Sequence, residues 1–309
     1  MKIGMFLPHV GEVTTDNIVY AAKESEKAGI DSLWALDRLL WPLNPQTPYV
    51  ASPDGSLPVQ YQNVSDPLTT LAFVAGITER ISLGTSIIDM FFQNPVALGK
   101  KFATLDVLSK GRVIAGLGLG WSKDEYDVSG IPFKDRGPRA DEYVQILNKV
   151  WTEDIVEFTG RFYKVPASKV GPKPVQKPHP AMLMGGFTPK VFTRIVKYTQ
   201  GWIGAAGFGP LSQLEQQIKA LKEVARKLDK DPSKVSIYMV AYPTILETAS
   251  GSDESRSPMT GTIEQIGSDI EQLNAMGTDH LILGHIFSSL TEDVKKMVEV
   301  TKQIAGFAK

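Results

Sequence analysis

The sequence predicts an α/β fold, the (β/α)8 or TIM barrel, on three observations. Eight short apolar runs, each followed by a stretch of helical length, alternate along a chain of 309 residues. Each crossover is long enough for parallel strand pairing. The competing doubly wound sheet would carry a GxGxxG fingerprint after its first strand, yet residues 2–8, KIGMFLP, have none, and the glycine cluster lies after the fourth strand.

Residues 2–7 form an apolar run stopped by Pro8. The next run, 18–27, is amphipathic, with Asp16 placed to cap it and Gly29 to end it, and 32–36 is the second strand, closing on Asp37 and Arg38. Residues 39–65 lose all periodicity among prolines, Asn and Gln. A loop this long inside a barrel is expected to be functional, and Trp41, Tyr49 and Tyr61 suit a lid or substrate wall. Asp66 and Pro67 start the second helix, and 80–88 is the third strand. The third helix carries Leu98, Phe102, Leu105 and Leu108 near helical spacing and turns at 109–111 into the fourth strand, 113–117, which opens onto Gly118, Gly120 and Trp121.

After Trp121 the chain is polar through Arg139, and a helix follows over 141–151. Residues 154–180 read as an insertion, with an antiparallel excursion turning at Gly160 and a proline-spaced linker. The fifth strand, 181–184, ends in Gly185-Gly186 before a helix beginning near Pro189. Strands at 201–205, 235–242 and 280–283, with helices at 211–228, 263–276 and 291–305, complete one domain. Glycines at strand ends leave no Cβ in the way of a flat ring or a phosphate, or serve only to turn the chain; Gly185-Gly186 offers amide donors at a helix start or a tight turn.

A hydrophobic content of 42% with 22% charged residues suits a globular protein with a large core. The net charge of -1 gives no reason to expect nucleic acid or an acidic membrane as partner, so any anion site is local. The absence of cysteine excludes disulfides, thiolate nucleophiles and iron-sulfur clusters, and the four histidines form no HxxxH pair, so no metal site is expected. The apolar run before Pro8 is too short for a signal peptide or a span, which makes the cytoplasm the expected compartment.

Four runs in order, DPLTTLAFVAGITERISLGTSI, NPVALGKKFATLDVLSKGRVIAGLGLGW, PFKDRGPRADEYVQILNKVW and PKPVQKPHPAMLMGG, resemble the luciferase-like monooxygenase superfamily, and within it the branch assigned to the deazaflavin coenzyme F420. The resemblance runs from Lys2 to Trp202 and more loosely beyond. It implies a cofactor ring across the C-terminal mouth of the barrel, and a homodimer. Asp37 stands where the family's acidic residue contacts the deazaflavin. Arg38 stands where the family often has His, and either hydrogen-bonds an anionic substrate or cofactor oxygen or pairs with Asp37. Ser86-Ile87 matches the family's non-prolyl cis peptide, while Gly120, Trp121, Gly185 and Gly186 match its cofactor-binding positions. Trp121 replaces the Glu of the sugar-phosphate dehydrogenases, and Gln200-Gly201-Trp202 departs from the usual DGW.

The implied activity is hydride transfer between F420 and a small organic substrate, with Arg38 and Trp41 as candidate active-site residues. An FMN-dependent monooxygenase is the alternative enzyme. A non-catalytic cofactor-binding barrel subunit is the alternative from another class. Phe91 and Phe92 join Trp41, Tyr49 and Tyr61 as a candidate apolar wall, or form a dimer contact.

Overall fold

The computed structural model describes residues 1–52, 54–251 and 256–308. Eight parallel strands form a closed ring: β1 Lys2–Phe6, β2 Ser32–Ala35, β3 Ser82–Thr85, β4 Val113–Gly118, β5 Ala181–Gly185, β6 Gly201–Ala206, β7 Ser236–Ala241 and β8 His280–Leu283. Each pairs with its sequence neighbours, β1 meets β8, and β3 meets β4, so the barrel has no free edge. Outside it lie α1 Thr15–Ala28, α2 Pro67–Ala75, α3 Pro95–Leu108, α4 Arg136–Thr152, α5 Pro189–Tyr198, α6 Leu211–Lys227, α7 Ile263–Ala275 and α8 Val294–Ala305. Among the described residues, no helix is long and apolar enough to cross a membrane.

The helices start where their sequence chemistry directs. Asp66, Asn94 and Thr188 each accept a hydrogen bond from a first-turn amide, with proline in the next position, where its missing N–H costs nothing. At α1 the cap is Thr14 rather than Asp16, which falls in the first turn; the Thr14 hydroxyl accepts from Asn17 N at 3.2 Å. Leu98, Phe102 and Leu105 of α3 are buried, whereas Leu108, the last helical residue, faces solvent.

The polar segment after Trp121 contains a short helix, Lys123–Val128, that buries Glu125 and Tyr126. The helix expected from Asp141 begins one turn earlier, at Arg136. The excursion in 154–180 is the predicted antiparallel pair, Val156–Thr159 with Lys164–Ser168.

One indole sets the barrel's inner packing. Trp34 on β2 is fully buried, and a Cβ at Gly4 would lie 2.4 Å from its Nε1 while one at Gly84 would lie 2.3 Å from its Cε3. Glycine on both flanking strands is therefore what lets the ring fit. Trp34 Nε1 donates to Ser32 Oγ at 2.6 Å, and that hydroxyl shares a 2.7 Å hydrogen bond with His280 Nε2. Burial pushes the His280 pKa down to about 3, leaving a neutral ring stacked on Tyr238 at 4.9 Å.

The third strand is broken rather than continuous over 80–88. β3 pairs with β4 only at Leu83↔Val113 and Gly84↔Ile114, and the two-residue strand Ile88–Asp89 rejoins at Ile88↔Leu117. Between those pairs one strand carries an extra residue, a bulge that re-aims the chain at the barrel rim. The Ser86-Ile87 peptide in it is cis. Thr85 pins the seam: its hydroxyl donates to Gly116 O at 2.8 Å and accepts from Gly116 N at 2.9 Å.

Candidate active site

The C-terminal ends of the strands open into a cavity of about 1110 Å³. Pockets for one small molecule run roughly 300–1,000 Å³, so this mouth has room for a large cofactor and part of a guest. Asp37, Arg38, Ser86, Ile87, Gly120, Trp121, Gly185 and Gly186 all line it, drawn from the rims of β2 to β5. Trp41 does not. It packs against an apolar cluster that includes Phe6, Trp34, Leu36 and the cavity-lining Tyr61. Phe91 is buried against Tyr126 and Tyr143, and Phe92 meets Tyr126, so this pair forms no wall of the mouth.

The floor is shaped by Ile87. A Cβ at Gly118 would fall 1.8 Å from Ile87 Cδ1, and one at Gly185 would fall 3.4 Å from it. The isoleucine thus rests over two strand ends that carry no side chain. Beside it, Gly120 has φ +75, and a Cβ there would meet Asp89 Oδ2 at 2.2 Å, so glycine is required for both the turn and the approach of that carboxyl.

At one end, three carboxyl groups surround a single arginine. Arg38 Nη2 lies 3.3 Å from Glu125 Oε1, and its guanidinium sits 4.9 Å over the Trp121 ring and 5.9 Å over Tyr61. Arg38 therefore pairs with Glu125, not with Asp37. Glu125 also accepts Leu39 N at 2.9 Å, anchoring the start of the 39–65 loop. Asp37 accepts Asp89 N at 3.3 Å, and the Asp89 carboxyl is buried with Oδ1 unpartnered.

Burial raises the Asp37 pKa to about 6, with Asp66 and Glu125 adding repulsion, while the Asp89 N–H and Arg38 oppose the rise. Burial pushes Asp89 well above its ordinary value, and Glu125 and Asp37 push it further. Both carboxyl groups are therefore easier to protonate than exposed ones.

A stability test follows from the sign of that shift. Asp37 binds its proton more tightly folded (about 6) than at its ordinary 3.8, so its contribution is fully present below about pH 4 and is lost as pH rises through 6. Asp37→Asn is expected to stabilise the protein at pH 8 by about 3 kcal/mol and to do little at pH 4. Urea unfolding at both pH values measures this; a variant less stable than wild type at pH 8 would show that the ionised carboxylate is favoured.

A second group of lining residues is basic. Arg136 opens α4, and Lys190 and Lys197 stand seven residues apart on one face of α5. Among the described residues neither lysine is paired with a carboxylate, whereas Arg194 between them is held by Asp141 at 2.6 Å. The α5 N-terminus follows Gly186, whose φ of +126 turns the chain into it; Pro189 has no N–H and the Thr188 hydroxyl takes the Val191 N–H, which leaves the Lys190 N–H in the first turn. A phosphate-bearing ring cofactor fits this lining through its cations, its apolar platform and its carboxyl groups.

Asp89, Glu125, Lys190 and Lys197 were not singled out from the sequence. The helical spacing of the two lysines was readable. The lone acid in the run RISLGTSIIDMFF was a signal for Asp89, but Glu125 sits in an acidic stretch, KDEYD, that reads as solvated surface.

The fold and the mouth together define a (β/α)8 barrel with one large cavity at its C-terminal rim. Residues 1–274 match the luciferase-like monooxygenase family, and the chain belongs to that family. An uncharacterized protein of Mycobacterium tuberculosis is 33% identical over 184 residues, 59% of this chain and 65% of that protein, so the match spans less than two thirds of that relative. The F420-dependent glucose-6-phosphate dehydrogenase of Amycolatopsis mediterranei is 29% identical over 259 residues, 81% of this chain and 72% of that enzyme. Among solved structures, an F420-dependent secondary alcohol dehydrogenase superposes with a TM-score of 0.79 at 19% identity, covering 100% of this chain and 99% of its own. Monooxygenase RslO1 from Streptomyces bottropensis gives 0.78 at 20% identity over 98% of both chains.

Proposed function

We propose that this protein is an F420-dependent oxidoreductase acting on a small organic substrate. The observation that carries the reading is one cavity lined by unpaired lysines, by buried carboxyl groups and by the Ile87 platform. The Amycolatopsis relative, aligned over most of the chain, supports the deazaflavin over a flavin. When bound, that cofactor supplies a carbon-centred hydride donor or acceptor.

The chain's own work is positional and protic. Arg136, Lys190 and Lys197 would hold the phosphate-bearing tail, and Ile87 over Gly118 and Gly185 would support the ring. Asp37 and Asp89, raised toward protonation by burial, would give a proton to, or take one from, the substrate oxygen when the carbon bearing it gains or loses hydride. Arg38, locked by Glu125, sets how many of the three carboxyl groups ionise. Tyr49, Tyr61 and Trp121 close the wall against water.

Absorbance and fluorescence titration tests the assignment. F420 is expected to bind at least about tenfold more tightly than FMN, and Lys197→Gln to weaken F420 about tenfold by removing one charge-assisted contact. Tight FMN binding with no response to F420 would replace this reading with the flavin monooxygenase.

A further inference from the structure

One wall of the mouth is a continuous arc of aromatic rings, contributed by segments far apart in the chain. Trp121 lies 5.4 Å from Tyr49, Tyr49 is 6.0 Å from Tyr61, Tyr61 is 5.9 Å from Phe287, Phe287 is 4.9 Å from Tyr242, and Tyr242 is 6.5 Å from Phe208. Five of the six line the cavity, and Phe287 links Tyr61 to Tyr242. Phe208 is 54% exposed, a large apolar face left open to the mouth. The hydroxyls of Tyr49 and Tyr61, 3.5 Å apart, are the polar handles of this wall.

Charge on this side runs against anions. Among the described cavity-lining residues the cation beside the arc is Arg38, already spanned by Glu125 at 3.3 Å and stacked over Trp121. The remaining ionisable neighbours, Asp37 and Asp89, are acids. The unpaired lysines lie on α5. A phosphate or carboxylate placed against the Trp121–Tyr61 part of the arc would therefore lose its hydration, face carboxyl groups, and find Arg38 already taken by Glu125.

We infer that the substrate is an uncharged molecule built on a flat apolar ring system, received by the aromatic arc, and that sugar phosphates and other anions are excluded from it. The inference rests on the oxidoreductase reading only in naming the bound molecule a substrate; the binding preference itself belongs to the wall.

The test uses a matched pair, 2-acetonaphthone and 2-naphthoate, which share a ring and differ in charge, with glucose 6-phosphate as a third probe. Equilibrium dialysis against the full chain, in phosphate buffer so that the basic residues are occupied, measures all three. The ketone is expected to bind at least about tenfold more tightly than the naphthoate, and Phe208→Ala to weaken it about fivefold through loss of one ring contact. Tyr49→Ala is expected to act in the same direction, and circular dichroism of both variants establishes that they fold. Naphthoate or glucose 6-phosphate binding as tightly as the ketone, no saturable ketone binding, or ketone binding indifferent to both substitutions in folded protein overturns the inference. F420 titration of the same protein in phosphate-free buffer reports on the cofactor separately, so a chain that ignores F420 there yet prefers the ketone would fail the functional reading alone.

Discussion

Arg38→Met is expected to cost about 3–5 kcal/mol of stability at pH 8, the range for removing one partner of a buried ion pair. Glu125 is 1% exposed and Arg38 7%, so neither charge can recover its hydration when the other is lost. The variant leaves Glu125, Asp37 and Asp89 without their shared counter-charge. Their folded pKa values, already raised by burial, rise further, so the folded variant takes up protons that the unfolded chain does not. The deficit is accordingly largest at pH 8 and shrinks toward pH 5. Urea unfolding across that range measures it, and Glu125→Gln in the same chain is expected to restore more than half of the loss, because it removes the stranded charge. A single variant within about 1 kcal/mol of wild type at pH 8, the scale of exposed pairs, would show that the pair is solvated.

Gly116→Ala is expected to be comparably damaging for a steric reason. The added methyl would lie 1.9 Å from Thr85 O and 2.8 Å from Ile203 Cδ1. The first contact is main chain, which no rotamer change can relieve. Overpacking costs about 1–3 kcal/mol and more where backbone must move, so about 3 kcal/mol or above is expected here, and the movement falls on the two Thr85 hydrogen bonds that hold the seam beneath Ser86 and Ile87. Cofactor affinity is expected to fall with stability. Gly185→Ala is the control: its Cβ would meet nothing closer than 3.4 Å, so less than about 1 kcal/mol should be lost. Equal stability of the two variants in thermal and urea unfolding would remove the seam from this account.

The repeating order of strands and helices was legible because each element answers to local rules. Proline and a capping side chain start α2, α3 and α5, and Gly29 and Gly277, both at positive φ, turn the chain after α1 and α7. The rim residues Asp37, Gly120 and Gly185 were legible for a related reason: in a barrel, the residue after each apolar run lands at the mouth. Local rules failed at Ser86, where the apolar run reads through a bulge that only the pairing with β4 defines. They failed again at residues 123–128, whose acidic composition hides two buried side chains.

The alternation of apolar runs and helical stretches, the cap chemistry and the strand-end glycines are properties of neighbouring residues, and the amino-acid order alone determined them, and with them the barrel and the location of its mouth. Which side chains meet in that mouth was decided only by the closed ring. The Asp89 pKa is raised because β2, the bulge and the 123–128 helix converge on it, and the aromatic arc exists because loops from opposite sides of the ring deliver one or two residues each. Burial and charge proximity are sums over residues distant in sequence, so neither the pKa of a carboxyl group nor the preference of a wall can be read before the chain has folded.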